Sequence, residues 1–338
     1  MSDERRILKM LLKAGADPNK LDCKNNSPLL SAIERSDVSM VTSLLSHGAQ
    51  VGLKRVYKEH DIFLATRKGN LVRVKYLLKK NGESYLSFRD VNGDTLLHIA
   101  AEYGHTGLME FLLKRGVDIN KKNHEGNTAL HLAASNRKRH CVSLLIVKGA
   151  LLNARNNSGE TPLHLSIWSS IMIEKLIDGG ADADARDNFA DTPLNHAVES
   201  ECLKGAEKLI QLGADLEARG FYGQTALHKA GNSPELVQML LGFKASTEAI
   251  DDFGNTPIIA IAEHGCSEVV RLLIEKGANV NAVNDLGDTA LHRAVERRES
   301  KMVANLLNHG AHSDQQNNVG VTPLHLAAIC MEDECLAS

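Results

Sequence analysis

The stretch GETPLHLS, Gly159 to Ser166, sets His164 two residues behind a proline in an otherwise apolar run. Such a histidine is either a chemical group or a piece of architecture, and the rest of the chain decides between them. The string returns as TLLHIAA at Thr95, TALHLAA at Thr128, TPLNHA at Thr192, TALHKA at Thr225, TPIIAIA at Thr256, TALHRA at Thr289 and TPLHLAA at Thr322. SPLLSA at Ser27 is a weaker copy, and HDIFLAT at His60 matches by position alone. Successive anchors lie 33, 35, 33, 33, 31, 33, 31, 33 and 33 residues apart. A second landmark keeps the same beat, as LLKAGAD at Leu11, LLSHGA at Leu44, LLKRGVD at Leu112, LLIVKGA at Leu144, LIQLGAD at Leu209, LLIEKGA at Leu272 and LLNHGA at Leu306. A fixed period in this range marks a stack of supersecondary units.

Each unit has a physical reading. Thr followed by Pro is an N-cap with proline at the first helical position, and five of the seven prolines occupy that slot. Leu and Ala spaced three and four apart give the helix one apolar stripe, with small Ala side chains that let neighbours approach closely. The Leu-Leu pair supplies a second apolar face, and the Gly after it provides a left-handed helix end. Asp or Asn and a further Gly before the next Thr, as in DVNGDT and DDFGNT, are turn chemistry for a short finger. One helix pair and one finger cannot bury their own apolar faces, so the units must stack.

The unit resembles the ankyrin repeat, whose T-P-L-H-x-A opens the first helix and whose G-A-D closes the second. The resemblance covers almost the whole chain. It implies an all-α solenoid of helix-turn-helix units with β-hairpin-like fingers. The expected organisation is a single array over 1–338: a lone second helix in 1–21, nine repeats over 22–316, and a truncated last repeat with tail over 317–338. His98, His131, His164, His228, His292 and His325 all hold the motif position, where the resemblance implies a structural hydrogen bond tying a finger to its helix. A ligand or general base would not be copied six times along a rod.

Composition narrows the function classes. The chain has 338 residues, 24% charged, with a net charge of -3, so no global basic surface is present to hold nucleic acid. No run of about 18 apolar residues exists to cross a membrane, and the charged start MSDERRILKM is unlike a secretory signal. Six scattered cysteines (Cys23, Cys141, Cys202, Cys266, Cys330, Cys335), never spaced as CxxC, read as free thiols in a reducing compartment. GxGxxG before a strand-helix unit, GxxxxGK[ST], HExxH and GxSxG are all missing. The expectation is therefore a non-enzymatic protein with no cofactor, metal or small-molecule substrate, cytoplasmic with the nucleus as an alternative, and monomeric where its ends are covered.

Individuality in a repeat array lies where the pattern breaks. The repeat at Arg55 to Arg89 lacks Thr at His60, has Lys58 for the finger Gly and gains two residues around KKNGESYLSF, which reads as a loose joint or as drift. SIWSSIM and AGNSPEL are each two residues short between the helices, and the single tryptophan, Trp168, sits in the first. It is either a binding anchor or filler for the deleted turn. The basic turns RKRH (Arg137 to His140) and RRESK (Arg297 to Lys301) read as solvated surface or as an acidic-partner site.

The residue three before each anchor is a fingertip, and the tips run Lys24, Asn92, Glu125, Ser158, then Phe189, Tyr222, Phe253, Leu286 and Val319, with Phe221 beside one of them. Polar tips give way to an apolar line, which reads as a contact surface for a protein partner or as local packing. The expected binding residues are Phe189, Phe221, Tyr222, Phe253 and Leu286, with Trp168 at the margin and Asp191, Gln224, Asn255 and Asp288 as a polar rim. The runner-up reading is the repeat segment of a larger membrane channel, arthropod pore-forming toxin or ubiquitin-ligase adaptor, because the chain opens in a second helix and stops after a first. The resemblance also implies asparagine hydroxylation as a possibility at Asn120, Asn153 and Asn281, each with a Leu eight residues upstream.

Overall fold

The structure, a computed structural model, describes residues 7–8, 10–12, 14–20, 27–34, 38–49, 61–231, 233–264 and 266–335. The drifted segment Arg55 to His60, including Lys58, and the tip Lys24 lie outside the described residues. No strand occurs among the described residues.

The Thr anchors open a first helix in most repeats: Leu96–Tyr103, Ala129–Ser135, Pro193–Glu199, Ala226–Lys229, Pro257–His264 and Ala290–Glu296. Second helices follow at Leu71–Asn81, Thr106–Lys114, Arg139–Val147, Ser170–Asp178, Leu203–Gln211, Pro234–Gly242, Ser267–Glu275 and Ser300–Asn308. First helices stack on first helices and second on second. Leu130, Ala133, Leu145 and their equivalents are fully buried between layers, from Ile62 to Leu306, in one continuous core. Removing one such leucine side chain costs about 2–5 kcal/mol. Leu29, Ala32, Leu44 and Ala49 form a second cluster, with Leu8 and Leu12 packed on it.

The departures in sequence become local departures in shape. The two residues missing at SIWSSIM reduce the first helix to a single 3-10 turn, His164–Ser166. Those missing at AGNSPEL leave Ala226–Lys229 as one turn of α-helix. At the first site the next repeat closes in: a Cβ on Gly205 would lie 2.0 Å from the Ile167 carbonyl oxygen, and Cys202 donates its thiol to that oxygen at 3.1 Å. The two extra residues near Asn81 form a 3-10 turn, Glu83–Ser87, whose Tyr85 is buried against Phe88 at 4.4 Å between ring centroids. The last anchor opens a single continuous helix, Pro323–Cys335, with Leu324 and Ile329 exposed.

Candidate binding surface on the fingers

Each finger is closed by one backbone rung, such as Asn123 N to Asn127 O at 2.9 Å and Asp251 N to Asn255 O at 3.0 Å. An Asp or Asn five residues before the anchor folds the tip with its own side chain: Asn123 Oδ1 accepts from Glu125 N and Asn127 N, and Asp187 Oδ1 accepts from Phe189 N and Asp191 N. That is an Asx turn, the reason these positions are Asp or Asn.

The motif histidines join finger to helix. His98 Nδ1 accepts from Thr95 N at 3.2 Å, so its proton sits on Nε2, which donates to Asn127 O in the next finger at 2.9 Å. His131 and His164 repeat this with Glu160 O and Asp191 O, both at 3.1 Å. Burial disfavours the charged ring and holds His131 and His164 at about 4. His98 and His228 are also lowered by burial. The geometry requires a neutral imidazole, which suits architecture and not acid–base chemistry at neutral pH. Asn195 replaces the histidine in the Thr192 repeat and splits its amide between Asp191 Oδ1 (3.1 Å) and Gln224 O (3.5 Å). Ile259 replaces it in the Thr256 repeat, and there Thr256 Oγ1 is buried with no hydrogen-bond partner.

Fingers are bonded tip to tip. The tip carbonyl accepts from the residue before the next tip: Asn92 O from His124 N, Glu125 O from Asn157 N, Ser158 O from Asn188 N, Tyr222 O from Asp252 N, Phe253 O from Asp285 N and Leu286 O from Asn318 N. One junction departs from this rule. Phe221 N turns to Asp191 Oδ1 at 3.1 Å, leaving the Phe189 carbonyl without the rung its counterparts carry. The cause is Gly220, which stands where the other described fingers have Asp or Asn, so the Thr225 finger has no Asx turn. Its tip Tyr222 is left-handed, with φ of 53°, ahead of the left-handed Gly223 whose counterpart every described finger has.

A buried ion pair fills the space. Lys229 Nζ donates to Asp191 at 2.8 Å, both side chains being 8% exposed. Burial alone would raise the Asp191 carboxyl, but Lys229, the Phe221 N–H and the Asn195 amide outweigh it and hold it below the usual carboxylate range. His196 bonds Asp187 at 2.9 Å beside it, and its ring meets that of His164 edge-on at 5.0 Å.

Above this cluster the aromatic tips touch in series. Ring centroids are 5.5 Å apart for Phe189 and Phe221, 3.9 Å for Phe221 and Tyr222, and 5.5 Å for Tyr222 and Phe253. The four side chains nevertheless remain 59%, 39%, 52% and 52% exposed in chain order, and Leu286 and Val319 extend the exposed line. Mutual packing and an open apolar surface therefore coexist.

The structure separates the other expected members. Trp168 stands at the inter-helix turn, at the opposite end of its repeat's first helical segment from the finger, with the Arg137 guanidinium 5.9 Å over its ring. The four expected rim residues are buried or half-buried. Asp191 and Asp288 are buried, the first on Lys229 and the second accepting from Asn317 Nδ2 at 2.8 Å, with Arg293 at 3.4 Å. Asn255 Oδ1 accepts from Asn284 Nδ2 at 2.9 Å, and Gln224 is half-buried with its carbonyl closing the Gly220 rung. Asp94, Asn127, Asn255 and Asp288, each just before an anchor, accept from the Asx amide of the next finger and so bridge repeats. Lys229 went unnoticed in the sequence; its signal was the loss of the Asx residue in GFYGQT together with an acid before the preceding anchor.

Asn120, Asn153 and Asn281 carry a second set of bridges, their Oδ1 atoms accepting from Leu151 N, Asp182 N and His312 N at 2.9 Å. Cys141, Cys202 and Cys266 are free thiols, and burial pushes Cys141 up to about 11. No group of three metal-ligating side chains occurs among the described residues, nor any helix long and apolar enough to cross a membrane.

This geometry defines a stacked helical-repeat protein with projecting fingers. A family model for ankyrin repeats matches residues 58–123, 115–187, 170–249, 229–317 and 278–337, and the chain belongs to the ankyrin-repeat family. The solved ankyrin repeat domain of Bcl-3, described as a member of the IkappaB protein family, is 34% identical, covers 60% of this chain and 95% of that one, and aligns with a TM-score of 0.55. Human transient receptor potential cation channel subfamily A member 1 is 29% identical over 126 residues, 36% of this chain and 11% of the channel. Alpha-latrocrustotoxin-Lt1a of Latrodectus tredecimguttatus is 29% identical over 120 residues, 35% of this chain and 8% of the toxin. The chain thus spans about a tenth of the length of these last two relatives. Ankyrin repeats generally mediate protein–protein interaction.

Proposed function

We propose that this chain is a non-enzymatic protein-binding array, a scaffold or adaptor of the cytoplasm or nucleus, whose recognition surface is the fingertip line from Phe189 to Leu286. The observation that carries the reading is the ring series Phe189, Phe221, Tyr222 and Phe253, in mutual contact yet about half exposed. Contiguous exposed apolar surface on a folded chain is the usual mark of a partner site, and aromatic residues dominate binding energy at such sites. A stable partner would bury about 1,200–2,000 Å² in total and so engage several repeats at once. The test is affinity capture with mass spectrometry on the wild type and on a Phe189→Ser, Tyr222→Ser, Phe253→Ser variant shown by circular dichroism to stay folded. Selective loss of partners supports the reading, and an unchanged partner set removes the fingertips as the site.

A second reading is that the array serves within a larger protein, such as a channel, a toxin or a ubiquitin-ligase adaptor. Its support is the match to a small fraction of two long relatives, one named as a cation channel and one as a toxin. Sequencing the full transcript decides it: an open reading frame of these 338 residues alone sinks this reading.

A further inference from the structure

Charge is divided along the array. Residues 61–150 carry 15 Lys and Arg against 8 Asp and Glu, a net of +7, whereas residues 151–338 carry 14 against 27, a net of -13. The polar tips Asn92 and Glu125 belong to the basic part, and the tips from Ser158 onward, including every aromatic one, belong to the acidic part. Within the apolar line, the residues just before the tips Phe253 and Leu286 are Asp252 and Asp285, both exposed. The basic groups of these fingers are already engaged: Arg186 donates to Ala190 O and Arg219 O, and Arg219 to Gly223 O and, at 2.7 Å, to Asp252. Among the described residues, cation–ring contacts fall elsewhere, on Tyr76, Phe111 and Trp168. The Phe189 carbonyl, at one end of the ring series, lacks the rung its counterparts carry.

Open ring faces, adjacent carboxylates, a spare carbonyl and an acidic surround share one complement, a row of cationic hydrogen-bond donors. We propose that the line from Phe189 to Leu286 takes an extended Arg- and Lys-bearing segment of a partner protein. Its cationic heads lie over the rings of Phe189, Tyr222 and Phe253 and beside the carboxylate of Asp285 and the second oxygen of Asp252, whose Oδ1 Arg219 holds. Alternate side chains of an extended segment project to one face about 6.6 Å apart, comparable with the 5.5 Å steps from Phe189 to Phe221 and from Tyr222 to Phe253. This deepens the docking surface proposed above and rests on it.

The probe is a fluorescein-labelled decapeptide alternating Arg and Leu, titrated by fluorescence anisotropy against peptides alternating Glu and Leu, or Ser and Leu. The Arg peptide is expected to bind at least tenfold more tightly than either. Asp252→Asn with Asp285→Asn, and separately the triple Ser variant, are each expected to weaken it tenfold or more. Glu207→Gln with Glu268→Gln, an equal charge change on second helices, should leave it within twofold. Raising salt from 50 to 300 mM should weaken binding, because exposed charge pairs are screened. Equal losses in the two charge variants would mean diffuse attraction to an acidic chain, and the proposal fails. Preferential binding of the Glu or Ser peptide, or of none, overturns it too. In those cases the capture experiment still reports separately: partners lost from the triple Ser variant preserve the docking surface with a different occupant, while an unchanged set removes the surface itself.

Discussion

The repeats anchored at Thr95, Thr128 and Thr161 and those anchored at Thr192, Thr225 and Thr256 solve the same stacking problem with different materials. In the first group every cap is a Thr with a histidine, and every finger folds on an Asp or Asn. In the second, one histidine becomes Asn195, one becomes Ile259, and one finger has lost its Asx residue to Gly220. Among the described residues, the regular group holds no ion pair buried on both sides. The irregular group holds Asp191 and Lys229 together beneath the aromatic tips. The lesson is that the repeat frame specifies the helices tightly, while the junction between fingers can be rebuilt if its polar groups are satisfied by other means.

The largest effect expected from breaking this comparison is at Gly220. A Cβ there would lie 2.0 Å from Asp191 Oδ1 and 2.3 Å from Asn195 Nδ2. Gly220→Ala should therefore disrupt a buried charge pair and cost about 3–5 kcal/mol in urea unfolding. Alanine at the exposed fingertip Ser158 in the regular group should cost less than about 0.5 kcal/mol.

Acid comes next. His131 and His164 bind protons at about 4 when folded and at 6.5 when unfolded. Between those values the unfolded chain binds more protons, so stability is present above 6.5 and is lost as pH falls toward 4. At pH 5 each should have cost about 2 kcal/mol. Urea midpoints at pH 7.5 and 5 check this, with His131→Asn flattening the dependence. The Thr256 repeat, with Ile259, should contribute nothing to it.

Two adjacent anchors give a finer contrast. Thr289 bonds His292, with Oγ1 at 2.9 Å from Nδ1, so Thr289→Val should cost about 1 kcal/mol as a lost N-cap. Thr256→Val removes a buried hydroxyl that has no partner and should be neutral or stabilising. Equal losses at the two sites in chemical denaturation would contradict this account of the cap. A contrast of similar size lies between tips: Val319→Ser, at an 80% exposed site, should stay within about 0.5 kcal/mol. Phe221→Ser, which breaks two ring contacts, should cost about 1–2 kcal/mol.

The helices and fingers were legible because Thr, Pro, the Leu pair and Gly each do the same local job in every unit. The structural role of the histidines was legible for the same reason, and their bonds to the next finger agree. The aromatic line could be read from its offset, since tips stack in register. The rim could not. Asp191 and Asp288 sit at a sequence position that carries Glu, Gln and Val elsewhere, so it reads as variable surface. Only the fold reveals that the position looks into the next finger. Lys229 was hidden by the opposite effect: a lysine after a motif histidine reads as a solvated head, and it is buried because Gly220, nine residues earlier, leaves room that a side chain would fill.

The tie between Asp191, Gly220 and Lys229 limits how this array can change over generations. Units such as the one at Thr128 ask the next finger for backbone groups and an Asx amide, which most of the other units also present. They can be duplicated, exchanged or lost singly. The Thr225 unit inherits its lysine and glycine from a bargain struck with the unit before it. A copy inserted between the two would strand a carboxylate on one side and an ammonium on the other, so this pair is transmitted together.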